Sequence, residues 1–374
     1  MKKTIVFFLG AGASRPFGIP LTNEILPKIL SSIEKRDLFV EIKDYKNRPY
    51  GDYSEGKRRE MENDLQKFLY HLLPGLEQKF RTNKGELPLI TEILSLVDHL
   101  AVNGNRPFGG ALFKDGKELS YYRYLLDRAI YEVLADDEDR SFSEEEYLND
   151  FVSYISKLIH DKWQVTIITT NYDTMVEMRI YEEIYKPDTI GYHIDFGFSW
   201  RDVSTGAIHQ PEIRKLQLRI YKLHGSLNWL KCDLCDHVYI NPWGNLIHQS
   251  FRKKVDYDNS CHCATGPLRS LIVAPSLERD VRDANLLHVW KSSVQALREA
   301  EKLVIIGYSL PQEDLAIKSL LMRGKNSRVK KFAKKDFIVV QFGNKSLPAY
   351  QLLFGEDNFV FLEKGLEEYL TRYN

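Results

Sequence analysis

The chain has 374 residues, 43% of them hydrophobic, and its 52 Lys and Arg balance its 52 Asp and Glu to a net charge of zero. That length accommodates one large domain or two smaller ones with a substantial core. The balance excludes a global field that would recruit nucleic acid or anionic membrane, and no stretch approaches the ~20 apolar residues of a membrane span. The basic runs Arg252-Lys253-Lys254, Lys330-Lys331 and Lys334-Lys335 read as solvated faces, so no direct nucleic-acid binding is expected.

The apolar run 4–9 opens into Gly10-Ala11-Gly12-Ala13-Ser14, with Gly18-Ile19-Pro20 following. A buried strand ending in small residues lets backbone approach a ligand, and a helix after the glycines aims unpaired N–H groups at an anion such as phosphate. The third glycine of a dehydrogenase fingerprint would fall at position 15, where Arg15 stands, so that reading is set aside. Lys2 and Lys3 before the run, and Ala11-Gly12-Ala13 after it, imitate a secretion signal. The apolar core is shorter than the usual ~7 to 15 residues, and 4–9 is read as the first strand of a cytoplasmic protein.

From 21 to 158 the sequence lacks strand signals and reads as a mainly helical insertion. It carries amphipathic stretches at 60–73 and 87–100, a mobile loop over 47–56, and a polar segment at 135–140. Ser143 and Glu146 form a capping pair for a helix running through Leu158. Short β-branched runs then recur at 165–169, 219–223, 271–274, 303–306 and 337–341, separated by helix-compatible segments. With 4–9 they predict an α/β fold, a Rossmann-like parallel sheet with helices on both faces, built from 1–20 and 159–374.

Three motifs lie where predicted strands end, the usual place of the ligand crevice in an open α/β sheet. In Thr169-Thr170-Asn171-Tyr172-Asp173 the amide and carboxylate suit either ligand contact or helix capping. His224, in Lys222-Leu223-His224-Gly225-Ser226, suits a base or a hydrogen-bonded structural residue. Ile306-Gly307-Tyr308-Ser309-Leu310-Pro311 offers a glycine and a hydroxyl, or simply a turn.

The four cysteines form two close pairs, Cys232 with Cys235 and Cys261 with Cys263, suited to one tetrahedral Zn2+ in a small module at about 230–268. Because the second pair is the tighter Cys-x-Cys, His237 or His262 is an alternative to one thiolate. Four protein ligands leave no open position, so the metal is read as structural.

Taken in this order, the motifs resemble the sirtuin family. Gly10 to Ser14 with Gly18 to Pro20 match its Gly-Ala-Gly-x-Ser and Gly-Ile-Pro. Thr169, Asn171 and Asp173 match its Thr-x-Asn-x-Asp, and Leu223 to Ser226 its Leu-His-Gly-Ser. The cysteine module follows, then Gly307-Tyr308-Ser309 in place of Gly-Thr-Ser. The resemblance implies NAD+ binding and cleavage of the nicotinamide–ribose bond. In it the segment Gly10, Ala11, Gly12 and Ser14 would cradle the diphosphate, with Gly307 and Ser309 assisting. Asn171 would position the ribose and the attacking oxygen, Asp173 would hold the nicotinamide amide, His224 would act as general base, and Asn344 would contact a ribose.

Deacylating sirtuins continue Gly-Ile-Pro with Asp-Phe-Arg, whereas here Leu21-Thr22-Asn23 follow. This departure, Gly-Tyr-Ser-Leu-Pro with Asp314, and the insertion are similar to sirtuin-like NAD hydrolases of bacterial antiphage systems. The expectation is therefore an NAD+ glycohydrolase that depletes NAD+ in abortive infection. The resemblance implies a homo-oligomer gated by a separately encoded HerA-type ATPase or short Argonaute, and no nucleotide-triphosphate P-loop occurs in the chain. A deacylase or ADP-ribosyltransferase using the same chemistry, and a non-catalytic sensor of NAD or ADP-ribose, are the alternatives.

Overall fold

The computed structural model describes residues 3–39, 42–43, 49–50, 55–83, 85–102, 119–135, 146–184, 194–202, 207–210, 218–232, 234–240, 261–263, 268–273, 283–312, 314–326 and 332–374. Ser143, the basic runs 252–254 and 330–331, and most of the loop 47–56 and the segment 135–140 lie outside them.

Strand β1 (Thr4–Leu9) runs into α1 (Ala11–Ser14), a 3-10 turn (Arg15–Phe17) and α2 (Thr22–Lys35). An antiparallel pair, β2 (Ile42–Lys43) and β3 (Pro49–Tyr50), precedes α3 (Glu55–Leu72), α4 (Leu76–Thr82), α5 (Ile90–Val102), α6 (Leu119–Ala135) and α7 (Glu146–His160). Then come β4 (Gln164–Thr169), α8 (Met175–Ile184), β5 (Trp200–Asp202), β6 (Ile208–His209), β7 (Leu218–Lys222), β8 (Gly225–Cys232), β9 (Val238–Ile240) and β10 (Leu268–Ile272). The last part holds α9 (Ala284–Glu299), β11 (Lys302–Ile306), α10 (Leu315–Asn326), β12 (Phe337–Val340), α11 (Leu347–Phe354), β13 (Val360–Leu362) and α12 (Gly365–Tyr373).

Six strands form a parallel sheet in the order β13-β12-β11-β1-β4-β7. The chain enters at the centre, steps outward through β4 and β7, and returns on the other side of β1 through β11, β12 and β13. That is the doubly wound Rossmann order, and its reversal between β1 and β11 opens a crevice at the carboxyl ends of the strands. Near-continuous burial along β1, where Ile5 to Leu9 are at most 3% exposed, follows from helices on both faces.

The sheet corrects one expectation. The run 271–274 is not a core strand: β10 pairs antiparallel with β8 in a second sheet ordered β10-β8-β9-β5-β6. The sixth core strand is the three-residue β13 at the edge. A short β-branched run carries no information about which sheet it joins, and so short an edge strand leaves almost no pattern to read.

Helix α7 buries Leu148, Phe151, Val152, Ile155 and Leu158, a helical stripe. It packs on β4, α8 and α12 as the crossover between β1 and β4, with Phe151 edge-on to Phe7 at 5.4 Å. The preceding helices α2, α3, α5 and α6 pack on one another, with Phe68 and Tyr122 stacked at 4.4 Å. This bundle touches the second sheet through Arg123, whose Nη2 donates to the Ile272 carbonyl at 2.9 Å, and through Asp127, which accepts from Ser270 Oγ at 3.2 Å.

Inside the bundle, Glu132 accepts from Arg128 Nε at 2.9 Å and from the Phe39 amide. Burial pushes its carboxyl up to about 7, with Arg128 and the Phe39 amide opposing. An acid raised in the folded state adds stability that is full below its ordinary value near 4.5 and is lost as pH rises through about 7. Melting wild type beside Glu132→Gln from pH 4.5 to 8 should therefore show the wild type losing ground to the variant as pH rises. A difference that stays constant would contradict this assignment.

Candidate active site

The loops leaving β1 and β11 meet backbone to backbone. Gly10 N donates to Ile306 O at 3.0 Å, Gly12 N to Gly307 O at 2.9 Å, and Ala13 N to Gly10 O at 2.9 Å. A Cβ at Gly10 would lie 2.6 Å from Tyr308 Cα, and one at Gly12 2.8 Å from Gly307 O. These glycines therefore have a packing reason of their own, and the Gly12 amide proposed for a phosphate is engaged by Gly307. Ala11 opens α1 and is half-buried.

Beside this crossing, Ser14, Asn171 and Asp173 form a chain of hydrogen bonds. Asn171 Nδ2 donates to Gly10 O at 3.0 Å and Ser14 Oγ at 2.9 Å, and Ser14 Oγ donates to Asp173 Oδ2 at 2.9 Å. Asp173 Oδ1 also accepts from Met175 N at 3.3 Å, so the capping role weighed from the sequence coexists with membership of the cluster. Ser14 and Asp173 are buried, and with Thr169, Asn171 and Glu177 they line a cavity of about 10 Å³.

His224 sits in the turn between β7 and β8, 5% exposed, its ring stacked on Trp290 at 6.2 Å and tilted to Tyr172 at 6.4 Å. Trp290 Nε1 donates to Leu223 O at 3.0 Å. Val273 holds both neighbouring motifs: its amide donates to His224 O at 2.9 Å and its carbonyl accepts from Tyr172 Oη at 3.0 Å. Gly225 has φ +80, and a Cβ there would lie 1.8 Å from Leu271 O, so the turn presses directly on the end of β10. Asn171, Asp173 and His224 thus stand at the carboxyl ends of adjacent strands β4 and β7, with Ser14 contributed by α1, directly after β1.

Ser309 and Asn344 are exposed on the loops after β11 and β12. Tyr308, which precedes Ser309, is held by its hydroxyl to Asp314 at 2.6 Å and at its carbonyl by Gln341 Nε2 at 2.7 Å and Tyr350 Oη at 2.6 Å. After Gly18-Ile19-Pro20 the chain turns at once into α2: Leu21 N donates to Glu24 Oε2 at 2.8 Å, and Arg15 Nη1 to Glu24 Oε1 at 2.9 Å. Trp290, Val273 and the buried pair Lys222 with Glu177 were not singled out from the sequence. The one available signal was Lys222 itself, an ammonium closing a strand that reads Leu-Arg-Ile-Tyr-Lys.

Cys232 ends β8, Cys235 lies in the following turn, and Cys261 and Cys263 precede β10. Their four sulfurs lie within 4.8 Å of one another, with Cys232 and Cys263 3.7 Å apart and Cys235 and Cys261 3.2 Å apart. Those spacings exceed a disulfide bond of about 2.05 Å and lie just under the ~3.8 Å edge of a tetrahedron of ~2.3 Å zinc–sulfur bonds, so the donor set fits Zn2+ with small adjustments. Cys235, His237 and His262 also converge, which keeps a histidine as alternative ligand; Tyr239 Oη lies 2.8 Å from His262 Nδ1. Cys232→Ser is expected to lower the melting temperature and the bound zinc together, as a chelator would in wild type. Metal analysis finding no zinc in folded wild type would remove the assignment.

Among the described residues no helix is long and apolar enough to cross a membrane. No curated protein matches the chain. Among solved structures it is similar to a Sir2 homologue in complex with ADP-ribose (13% identity, TM-score 0.42, covering 99% of this chain and 90% of the other). It is also similar to Sir2Tm bound to a propionylated peptide (13% identity, TM-score 0.41, covering 99% and 92%). The family model of the SIR2-like domain matches residues 165–359, just over half of the chain and the span from β4 to the start of β13 that carries Asn171, Asp173, His224 and the cysteines. The chain belongs to the SIR2-like family.

Proposed function

We propose that the protein is an NAD+ glycohydrolase, cleaving NAD+ to nicotinamide and ADP-ribose. Family membership suggests an NAD-dependent enzyme, and the observation that supports this reading best is the convergence of Ser14, Asn171, Asp173 and His224 at the carboxyl ends of β1, β4 and β7.

The nicotinamide–ribose bond breaks through an oxocarbenium-like state. The site must therefore hold the ribose, exclude bulk water and govern which nucleophile arrives. In the proposed reaction the pair of electrons of the breaking bond goes to the ring nitrogen and nicotinamide leaves neutral. A water oxygen bonds to the ribose carbon, and His224 takes the proton that water gives up. An imidazole, with an ordinary pKa of ~6.5, is mostly neutral near pH 7 and able to do so. Asn171 orients the ribose and the water, Asp173 holds the nicotinamide amide, and the loops around Gly10, Gly12, Gly307 and Ser309 flank the diphosphate. Asn344, on the loop after β12, contacts a ribose. Zinc supports the second sheet and takes no step.

Hydrolysis is favoured over transfer to acyl-lysine by the residues immediately after Pro20. In place of an acidic and a basic residue, the chain caps α2 with Glu24, tied to Leu21 and Arg15. By resemblance, the setting is a bacterial antiphage system in which NAD+ depletion aborts infection. The enzyme would be a cytoplasmic homo-oligomer held in check until a HerA-type ATPase or short Argonaute partner signals, because free activity would poison its own cell.

Incubation of the purified protein with NAD+ alone, and with the neighbouring gene product, tests the reading by chromatography of nicotinamide and ADP-ribose. Release in either mixture that disappears in Asn171→Ala is the expected result. Cleavage only with an acyl-lysine peptide or another acceptor would assign the protein to the transferases. Lasting binding of intact NAD+ in both mixtures would make it a sensor.

A further inference from the structure

Directly behind the candidate site lies an ion pair that the chemistry above does not use. Lys222 is 0% exposed and Glu177 2%. The Lys222 ammonium donates to Glu177 Oε1 at 2.6 Å, to the Tyr172 carbonyl at 3.4 Å, and to the Asp173 carbonyl. An ammonium has three N–H bonds, and all three have acceptors here. Two of those acceptors are main-chain oxygens of the segment that carries Asn171 and Asp173; the third is a side chain in the first turn of α8, which that segment initiates.

The donor closes β7, two residues before His224. One buried cation therefore joins the strand end that presents His224 to the strand end that presents Asn171 and Asp173. Strands β4 and β7 pair in parallel up to Thr169 and Lys222, with one further ladder bond from Leu223 N to Thr169 O. Beyond that point Tyr172 O accepts from Leu227 N at 3.0 Å and from Ser226 Oγ at 3.4 Å, and Lys222 adds the contact to the Asp173 carbonyl. A hydrophobic residue would fill the same space without gripping either carbonyl. Burying a charge is unfavourable unless it is paired and hydrogen-bonded, and in some proteins such a pair serves to enforce one geometry rather than to add net stability.

We propose that Lys222, neutralised by Glu177, is a positioning residue of the nicotinamide-cleaving site, fixing the Tyr172-Asp173 backbone against the His224 turn. The proposal rests on the glycohydrolase reading for its kinetic consequence but not for its structural one. Lys222 touches no reacting atom; it acts through Asp173 and the adjacent Asn171.

The test separates position from stability. Lys222→Met with Glu177→Met replaces both charges by apolar side chains of similar length, a kind of exchange that is often neutral for folding. This double variant is expected to melt close to wild type, to lose at least tenfold in kcat with a smaller change in KM, and to exchange its amides faster over 171–176. Wild-type kcat in the folded double variant, or unchanged exchange there, overturns the proposal.

The single variants provide a second reading. Glu177→Gln keeps an oxygen acceptor for the ammonium and Glu177→Met does not, while both leave the lysine charge uncompensated. Positioning requires Glu177→Gln to hold kcat and amide protection closer to wild type than Glu177→Met does. Equal losses in the two would reduce the pair to a stability role and overturn the proposal. If wild type releases no nicotinamide in any mixture, it is the glycohydrolase reading that fails. Amide exchange in the same variants then decides the positioning role by itself.

Discussion

His224→Ala is expected to lower nicotinamide release from NAD+ by about 10²- to 10⁴-fold, the usual contribution of a placed general base. Most of the loss should fall on kcat, because a base acts on the proton of the attacking water and leaves NAD+ binding largely intact. The turn itself should survive. Its geometry is held by main-chain contacts that alanine keeps: Val273 N to His224 O, Leu223 N to Thr169 O, and Trp290 Nε1 to Leu223 O. The ring is nevertheless buried against Trp290, so a modest fall in melting temperature should accompany the kinetic loss. A variant that cleaves NAD+ at the wild-type rate would return His224 to a purely structural role. An unfolded variant would place it in the core, and His224→Gln, which keeps polar atoms and more of the side-chain volume, would then be the informative substitution.

Gly307→Ala should lower stability by about 2 to 5 kcal/mol, from left-handed backbone strain and overpacking together. Its φ is +62, and the added Cβ would lie 2.1 Å from Ala13 N and 2.3 Å from the Gly12 carbonyl carbon. Those are main-chain atoms of the opposing loop and cannot swing aside like the end of a side chain. The loop after β1 would have to separate from the loop after β11, breaking the bond from Gly12 N to Gly307 O and disturbing Ser14 two residues on. Asn344→Ala, in an exposed loop, is the matched control: its melting temperature should stay within error of wild type, whatever it does to NAD+ affinity. Thermal melts of the two side by side check this, and a Gly307→Ala protein as stable as wild type would mean the loops are less tightly locked than the structure has them.

The two expectations differ in what made them visible. A histidine in Leu-His-Gly-Ser after a buried strand suits a base or a structural residue alike, and only the resemblance carried by all the motifs in order singles it out as a base. Gly307 is legible only as a glycine near a possible ligand. Its actual requirement, the approach of Ala13 and Gly12 from a strand some 300 residues earlier in the chain, exists only once β1 and β11 lie side by side. Lys222 is a sharper example: at the end of Leu-Arg-Ile-Tyr-Lys it looks like a solvated strand terminus, yet α8 brings Glu177 over it and buries both.

The sequence by itself determined what local chemistry and periodicity can encode: five of the six core strands, the amphipathic helices, the glycine-rich turn, the strand-end motifs and the paired cysteines. Each is written in residues close together along the chain, where burial pattern and turn residues act directly. Tertiary structure alone decided the rest. It assigned β10 to the antiparallel sheet and the three-residue β13 to the core, packed Trp290 on His224, joined Arg123 of the helical bundle to Ile272, and set Lys222 between Glu177 and the Tyr172-Asp173 carbonyls. The physical reason is common to all of these. Which strand pairs with which, and which buried charge meets its counter-ion, depend on contacts between segments far apart in sequence, and no single segment carries the identity of its partner.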